Sequence, residues 1–227
     1  MFPPAESGRK TIGWRTHVKP KLILFGILLI SCSNIIYSQN SAELYTLSVS
    51  KSIGLEDPKK FGPLLGYSVR FPENISPNHM LIDISLGVGL SEGVTQAEGK
   101  TLEEKMTNAI EDNNALAMLK KYNPFRTMAG FYSNKDLTSI IVAATMPQKA
   151  FEEIESRNKS NSDNTKSKSF MIDKIKCIWG PLGDDNNYNS LIWHKDGVSY
   201  MIFPIEGKNF TLDEATNIAK KVIDTNK

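Results

Sequence analysis

Residues 191–224 constrain the fold more tightly than any other stretch. Leu191-Ile-Trp-His194 and Val198-Ser-Tyr-Met-Ile-Phe203 are apolar runs on either side of Lys195-Asp-Gly197. Asp-Gly between two such runs predicts a hairpin, because a tight turn needs left-handed backbone that Asp tolerates and Gly adopts freely. Thr211-Leu-Asp-Glu214 then forms a capping box, in which hydroxyl and carboxylate each take one of the backbone N–H groups left open at a helix start. Behind it Leu212, Ala215, Ile218, Ala219, Val222 and Ile223 recur at helical spacing, which predicts a helix over 212–224. Hairpins followed by amphipathic helices point to an antiparallel sheet with helices on one face, an α+β fold.

The rest of the chain fits that plan. Met128–Tyr132 and Leu137–Thr145 flank the polar turn Ser133-Asn-Lys-Asp136 and read as a second hairpin. Leu65–Phe71 reads as a strand with Tyr67, Val69 and Phe71 on one face, ended by Pro72. Leu81–Gly89 and Phe170–Trp179 read as further strands, and Leu44–Val49 as a first strand or a tether. Thr101-Leu-Glu-Glu104 is another capping box, and Leu102, Met106, Ala109, Ile110, Leu116 and Leu119 follow a helical stripe. This predicts one helix or a broken pair over about 101–122, stopped by Pro124, and 148–156 reads as a short helix. Residues 157–169 are polar throughout and read as a loop, as do 180–189.

The N-terminus has a different character. Leu22–Ile30 is a compact apolar run behind Lys19 and Lys21, and after Ser31-Cys-Ser-Asn34 it resumes at Ile35–Tyr37. A basic flank before a short apolar run has the form of a secretory signal, and it is short for a membrane-spanning helix. The basic residues predict the N-terminus inside and the rest of the chain outside, an extracytoplasmic address, with residues 22–37 as the link to the membrane. Three fates are open: cleavage after Ser38, retention as an anchor, or lipidation of Cys32 in Leu29-Ile-Ser-Cys32, which is similar to a lipobox. The polar stretch before Lys19 is long for a signal and suggests a start near Val18. The expected division is 1–38 targeting or anchor, 39–60 tether or first strand, and 61–227 a single domain with a helical insertion at about 101–122.

Charge and residue types narrow the chemistry. Of 27 basic and 25 acidic residues, five basic and one acidic fall within residues 1–38, so the remainder is slightly acidic. That balance gives no footing for nucleic acid. Cys177 stands alone outside the apolar N-terminus and reads as a buried structural thiol. His17, His79 and His194 show no metal-ligand spacing, and Asp184-Asp185 lacks the order of a calcium loop. Gly62-Pro-Leu-Leu-Gly66 and Gly87-Val-Gly89 lack the Lys-Ser/Thr of a phosphate loop. No metal, no cofactor and no catalytic set is expected. Asn158-Lys-Ser160 is the best placed of three N-glycosylation triplets, the others opening at Asn74 and Asn209.

Gly66-Tyr-Ser-Val-Arg-Phe-Pro72, a turn and a strand form one end of a resemblance. Trp193-His-Lys-Asp-Gly-Val-Ser-Tyr200, a Trp-x-x-x-Gly-x-x-Tyr hairpin, and the capped Leu-x-x-Ala-x-x-Ile-Ala helix form the other. Together they resemble an uncharacterised exported domain family found on bacterial and archaeal lipoproteins and at the outer end of some anti-sigma factors. The resemblance spans about 61–90 and 125–224. It implies an extracytoplasmic α+β module, similar in style to lipoprotein-carrier half-barrels, and no catalytic residues.

Three functions follow as expectations. The first is a non-enzymatic module, secreted or membrane-tethered, that binds an envelope or extracellular protein. The second is a carrier or sensor of a lipid or other apolar small molecule, with the insertion as a lid: Leu102, Met106, Ala109, Ile110 and Leu116 would face Ile84, Ile140 and Val142. The third is a hydrolase built on His194, with Asp196 or Asp173 beside it.

Overall fold

A computed structural model describes residue 44 and residues 46–158, 167–181 and 188–227. Within them nine strands make one sheet: β1 (Ser48–Gly54), β2 (Asn74–Ser76), β3 (His79–Leu90), β4 (Pro124–Ser133), β5 (Ile140–Pro147), β6 (Lys168–Ile172), β7 (Ile175–Pro181), β8 (Asn189–Lys195) and β9 (Val198–Glu206). The order is β1-β3-β4-β5-β9-β8-β7-β6, with β2 also paired to β3, and every pairing is antiparallel. Five helices accompany it: α1 (Gly62–Leu65), α2 (Gln96–Ala109), α3 (Asn113–Met118), α4 (Gln148–Asn158) and α5 (Leu212–Thr225). The α+β class with an antiparallel sheet is what the sequence implied.

Side chains alternate across a strand, so each strand serves two faces. On one face α2 and α5 deliver Leu102, Met106, Ile218 and Val222 onto Ile84, Leu86, Met128, Ile141, Leu191 and Trp193, forming the main core. On the other face Ala129, Phe131, Ile140, Val142, Ala144 and Phe203 cluster separately. At one end of that second face α4 brings Ala150, Phe151 and Ile154 against Phe125 and Met146. The main helices therefore share one face as expected, while short α4 lies on the other. Its first N–H, on Gln148, donates to the Gly197 carbonyl at 2.8 Å, and at its far end Arg157 donates to the Ser91 carbonyl at 2.8 Å.

Gly87 and Gly89 are sites of close approach between strands. A Cβ on Gly87 would come within 2.8 Å of the Val49 carbonyl oxygen, and one on Gly89 within 2.5 Å of the Phe125 ring.

Four expectations need correction. Leu65–Phe71 is not a strand: α1 ends at Leu65, and residues 66–72 run without a ladder partner. The alternating burial of Val69 and Phe71 is real, but Asn226 replaces the neighbouring strand, accepting from the Arg70 N–H at 2.8 Å and donating to the Arg70 carbonyl at 2.9 Å. The helix expected at 101 starts five residues earlier, capped by Thr95 and Glu98, while the Thr101 hydroxyl donates back to the Glu98 carbonyl. Residues 170–179 are two strands rather than one, turned at Asp173 and Lys174, both left-handed. Finally, the first strand begins at Ser48 and extends beyond Val49 to Gly54.

Candidate functional site

A recess lies at the end of the sheet where β4 begins and β5 stops. A short 3-10 turn, Lys120–Tyr122, hands the chain to Asn123, whose φ of 49° swings it into Pro124-Phe125-Arg126. Strand alternation sends Phe125 to the α4 side and Arg126 to the α2 side. Pro147 ends β5, and the chain turns directly into α4 with Lys149, Ala150 and Glu153. Helices α1 and α3 stand on the opposite bank. The space between has a volume of about 280 Å³ and is walled by Leu64, Leu65, Leu116, Phe125, Pro147 and Ala150, with Arg126, Asn123, Lys149 and Glu153 as its polar members.

Arg126 is 5% exposed. Its Nη1 donates to the Leu64 carbonyl at 2.9 Å, Nη2 to Ala109 at 3.3 Å and Nε to Ile110 at 3.3 Å. These carbonyls close α1 and α2, where backbone acceptors lack partners within the helix. Burial pushes the guanidinium pKa down, and the charge of Asp112 opposes that. Among the described residues no carboxylate forms an ion pair with it. Glu153 is occupied otherwise: it accepts from Asn123 Nδ2 at 2.5 Å and lies 3.8 Å from Lys149 Nζ. Sequence reasoning missed Arg126. The available signal was a charged residue in step with Met128 and Tyr132, on the core side of β4.

A second arrangement centres on His79. Its Nδ1 pairs with Ser76 Oγ at 2.9 Å and its Nε2 with Ser139 Oγ at 2.9 Å, joining the β2–β3 hairpin to the start of β5. Burial lowers its pKa, with Glu214 opposing, so the neutral imidazole donates to one hydroxyl and accepts from the other. A serine on an imidazole is half of a nucleophilic pair. The Ser139 N–H, however, is already committed to Asn134 Oδ1 at 3.1 Å, and the bonds as they stand clamp two turns together.

The residues singled out from sequence are dispersed. Leu102, Met106, Ala109 and Ile110 are buried in the main core with Ile84. Leu116 packs against the edge of that core and also lines the recess at the sheet end. Ile140 and Val142 belong to the opposite face, because their parity along β5 is that of Ala144, not of Ile141 and Ala143. The eight therefore do not enclose one space. His194 pairs with Ser199 Oγ at 2.7 Å and meets the Phe151 ring edge-on. Its suggested partners lie elsewhere, Asp196 by Lys195 Nζ at 3.5 Å and Asp173 by Lys227 Nζ at 3.7 Å. Cys177 is fully buried, and desolvation pushes its thiol up to about 11, far from a nucleophile's range. Asn158 is the last residue of α4. Residues 1–38 with Cys32, the polar segment 159–166, and Asp184-Asp185 lie outside the described residues. Among the described residues no three His, Cys, Asp or Glu side chains gather to hold a metal ion, and no helix is long and apolar enough to cross a membrane.

Residues 116–222 match a family model described as a domain of unknown function, DUF4367. No curated protein and no solved structure matches the chain. The DUF4367 segment runs from within α3 through most of α5, so it holds β4 to β9, the Trp193–Tyr200 hairpin and the helix packed on it. It overlaps the second part of the resemblance drawn from sequence and leaves 61–90 outside. The recess crosses this boundary. Arg126, Phe125 and Glu153 lie inside the DUF4367 segment, whereas Leu64, Leu65 and Ser91 come from before it.

Proposed function

We propose that the protein is a non-enzymatic binding module on the outer side of a membrane, secreted or held there by residues 22–37. In this reading the DUF4367 segment belongs to the exported setting of lipoproteins and anti-sigma factor ends. The observation that carries the binding part is the recess beside Arg126. Its buried ionic group is a guanidinium, which stays protonated through the physiological range and holds a charge without exchanging a proton. Apolar walls with a few placed polar groups are the furniture of a ligand site. The exported part rests on the basic flank and apolar run at 19–37.

Proteolytic shaving of intact cells tests the address. The domain should be digested while cytoplasmic markers survive; a domain digested only after permeabilisation sinks the reading. A screen for esterase, phosphatase and glycosidase activity tests the rest. Turnover lost in His194→Ala or His79→Ala would replace the binding module by an enzyme.

A second reading, carriage of an apolar ligand, rests on the apolar walls of the same recess, Leu64, Leu116, Phe125 and Pro147. Native mass spectrometry of the gently purified protein separates the two, since a co-purifying lipid mass supports carriage and a clean mass opposes it.

A further inference from the structure

Resting on the binding-module reading, we propose that the recess at the start of β4 is a receptor site for a small monocarboxylate with an apolar body, its carboxylate on Arg126. The first argument is one of donors. A guanidinium has five N–H groups. Three of them reach carbonyls of Leu64, Ala109 and Ile110. Among the described residues one N–H on each terminal nitrogen is left, enough for the two oxygens of one carboxylate. The carbonyls hold the side chain in place but carry no net charge. A cation this buried gains most from an anion that shares its low-dielectric surroundings.

Size and lining then choose the anion. A recess of about 280 Å³ is roughly twice the ~150 Å³ cavity that holds benzene, and below the usual range for drug-sized ligands. Leu64, Leu116, Phe125 and Pro147 give it apolar walls, which reward a short alkyl chain or a single ring. Inorganic phosphate would leave those walls wet and find one guanidinium where it needs several donors. The rim adds a charge filter. Glu153 faces the same space, and its negative charge is only partly offset by Lys149, whose side chain is 86% exposed. A monoanion tolerates that rim better than a dianion does.

Titration of the full-length protein with benzoate, hexanoate, hexanol and inorganic phosphate, followed by calorimetry, tests the assignment. Benzoate and hexanoate should bind saturably at one site. Hexanol should bind weaker by about ten-fold or more, the worth of one charge-assisted hydrogen bond, and phosphate should not bind. Leu116→Trp fills the recess while leaving Arg126 in the sequence and should abolish carboxylate binding. Glu153→Gln removes the like charge at the rim and should tighten it several-fold. Arg126→Lys should weaken it by about ten-fold or more, because an ammonium lacks the fork. Should that variant fail to fold, Leu116→Trp and Glu153→Gln still decide the matter. No saturable carboxylate binding, hexanol as tight as hexanoate, or binding untouched by Leu116→Trp each overturns the proposal. If shaving places the domain outside while carboxylates fail to bind, the ligand falls and the module stands. If carboxylates bind a domain that proves cytoplasmic, the address falls and the ligand stands.

Discussion

A guanidinium resting on three main-chain carbonyls depends on elements far apart in the chain, so the strand parity of Arg126 could mark it as inward-facing but could not name its partners. Its acceptors come from Leu64, Ala109 and Ile110, and nothing in the local run Asn123-Pro-Phe-Arg126 names them. Two other residues allow sharp tests. Gly89→Ala would drive a methyl to within 2.5 Å of the Phe125 ring, which is itself buried. We expect a loss of about 1–3 kcal/mol, the usual cost of overpacking, measured by urea denaturation. Tyr132→Phe should do the reverse of an ordinary core substitution. Its hydroxyl is buried, has no partner among the described residues, and burial raises its pKa. Such a group costs about 1–3 kcal/mol to desolvate, so removing it should leave stability unchanged or raise it by up to ~1 kcal/mol in the same assay.

At the level of elements, what could be read was what local chemistry decides. Asp196-Gly197 announced the β8–β9 hairpin because its two positive φ angles suit those residues. Asp173-Lys174 makes a similar turn and was missed, since a lysine at φ 69° carries no such signal. The segment around Val69 and Phe71 had the alternation of a strand, but its partner is the side chain of Asn226, more than half the chain away. The start of α2 was misplaced because two Thr-x-x-Glu frames lie only six residues apart, and Gly99 directly after the true one weakens the helical reading. The caps separate by mutation. Thr95→Ala should cost about 1 kcal/mol by thermal denaturation, as loss of an N-cap does. Thr101→Ala should stay within about 0.5 kcal/mol, because it only bonds back along the helix. A pH titration of stability adds a second check. The Thr95 and Thr211 backbone N–H groups, and then their hydroxyls, hold the Glu98 and Glu214 carboxyls below the usual range. A depressed carboxyl contributes its stabilisation above the unfolded pKa and loses it as pH falls through the folded value. Stability should therefore decline on acidification below the ordinary glutamate range, and less so in Thr211→Ala.

For the whole molecule, the DUF4367 match and the fold disagree about where a self-sufficient unit ends. Residues 116–222 contain β4 but not β3, with which β4 pairs from Met80↔Ser133 to Leu90↔Pro124. They also lack the Leu64, Ala109 and Ile110 carbonyls that hold Arg126. A fragment of residues 116–227 would leave β4 as an open edge and strip α2 from the main core. We expect it to bind a hydrophobic dye and to unfold without a cooperative transition, whereas residues 44–227 should unfold in one step. The antiparallel seam between β5 and β9, running from Ile140↔Glu206 to Pro147↔Val198, has a consequence in time. The pairs from β6 to β9 on one side, and β3 through β5 on the other, join strands consecutive in sequence, although α2 and α3 lie between β3 and β4. A tight hairpin such as β8–β9 forms within microseconds, but the seam must first close a long stretch of chain and absorb its lost entropy before any contact rewards it. The β5–β9 line of hydrogen bonds is therefore the pairing expected to close last, where two runs of consecutive strands meet.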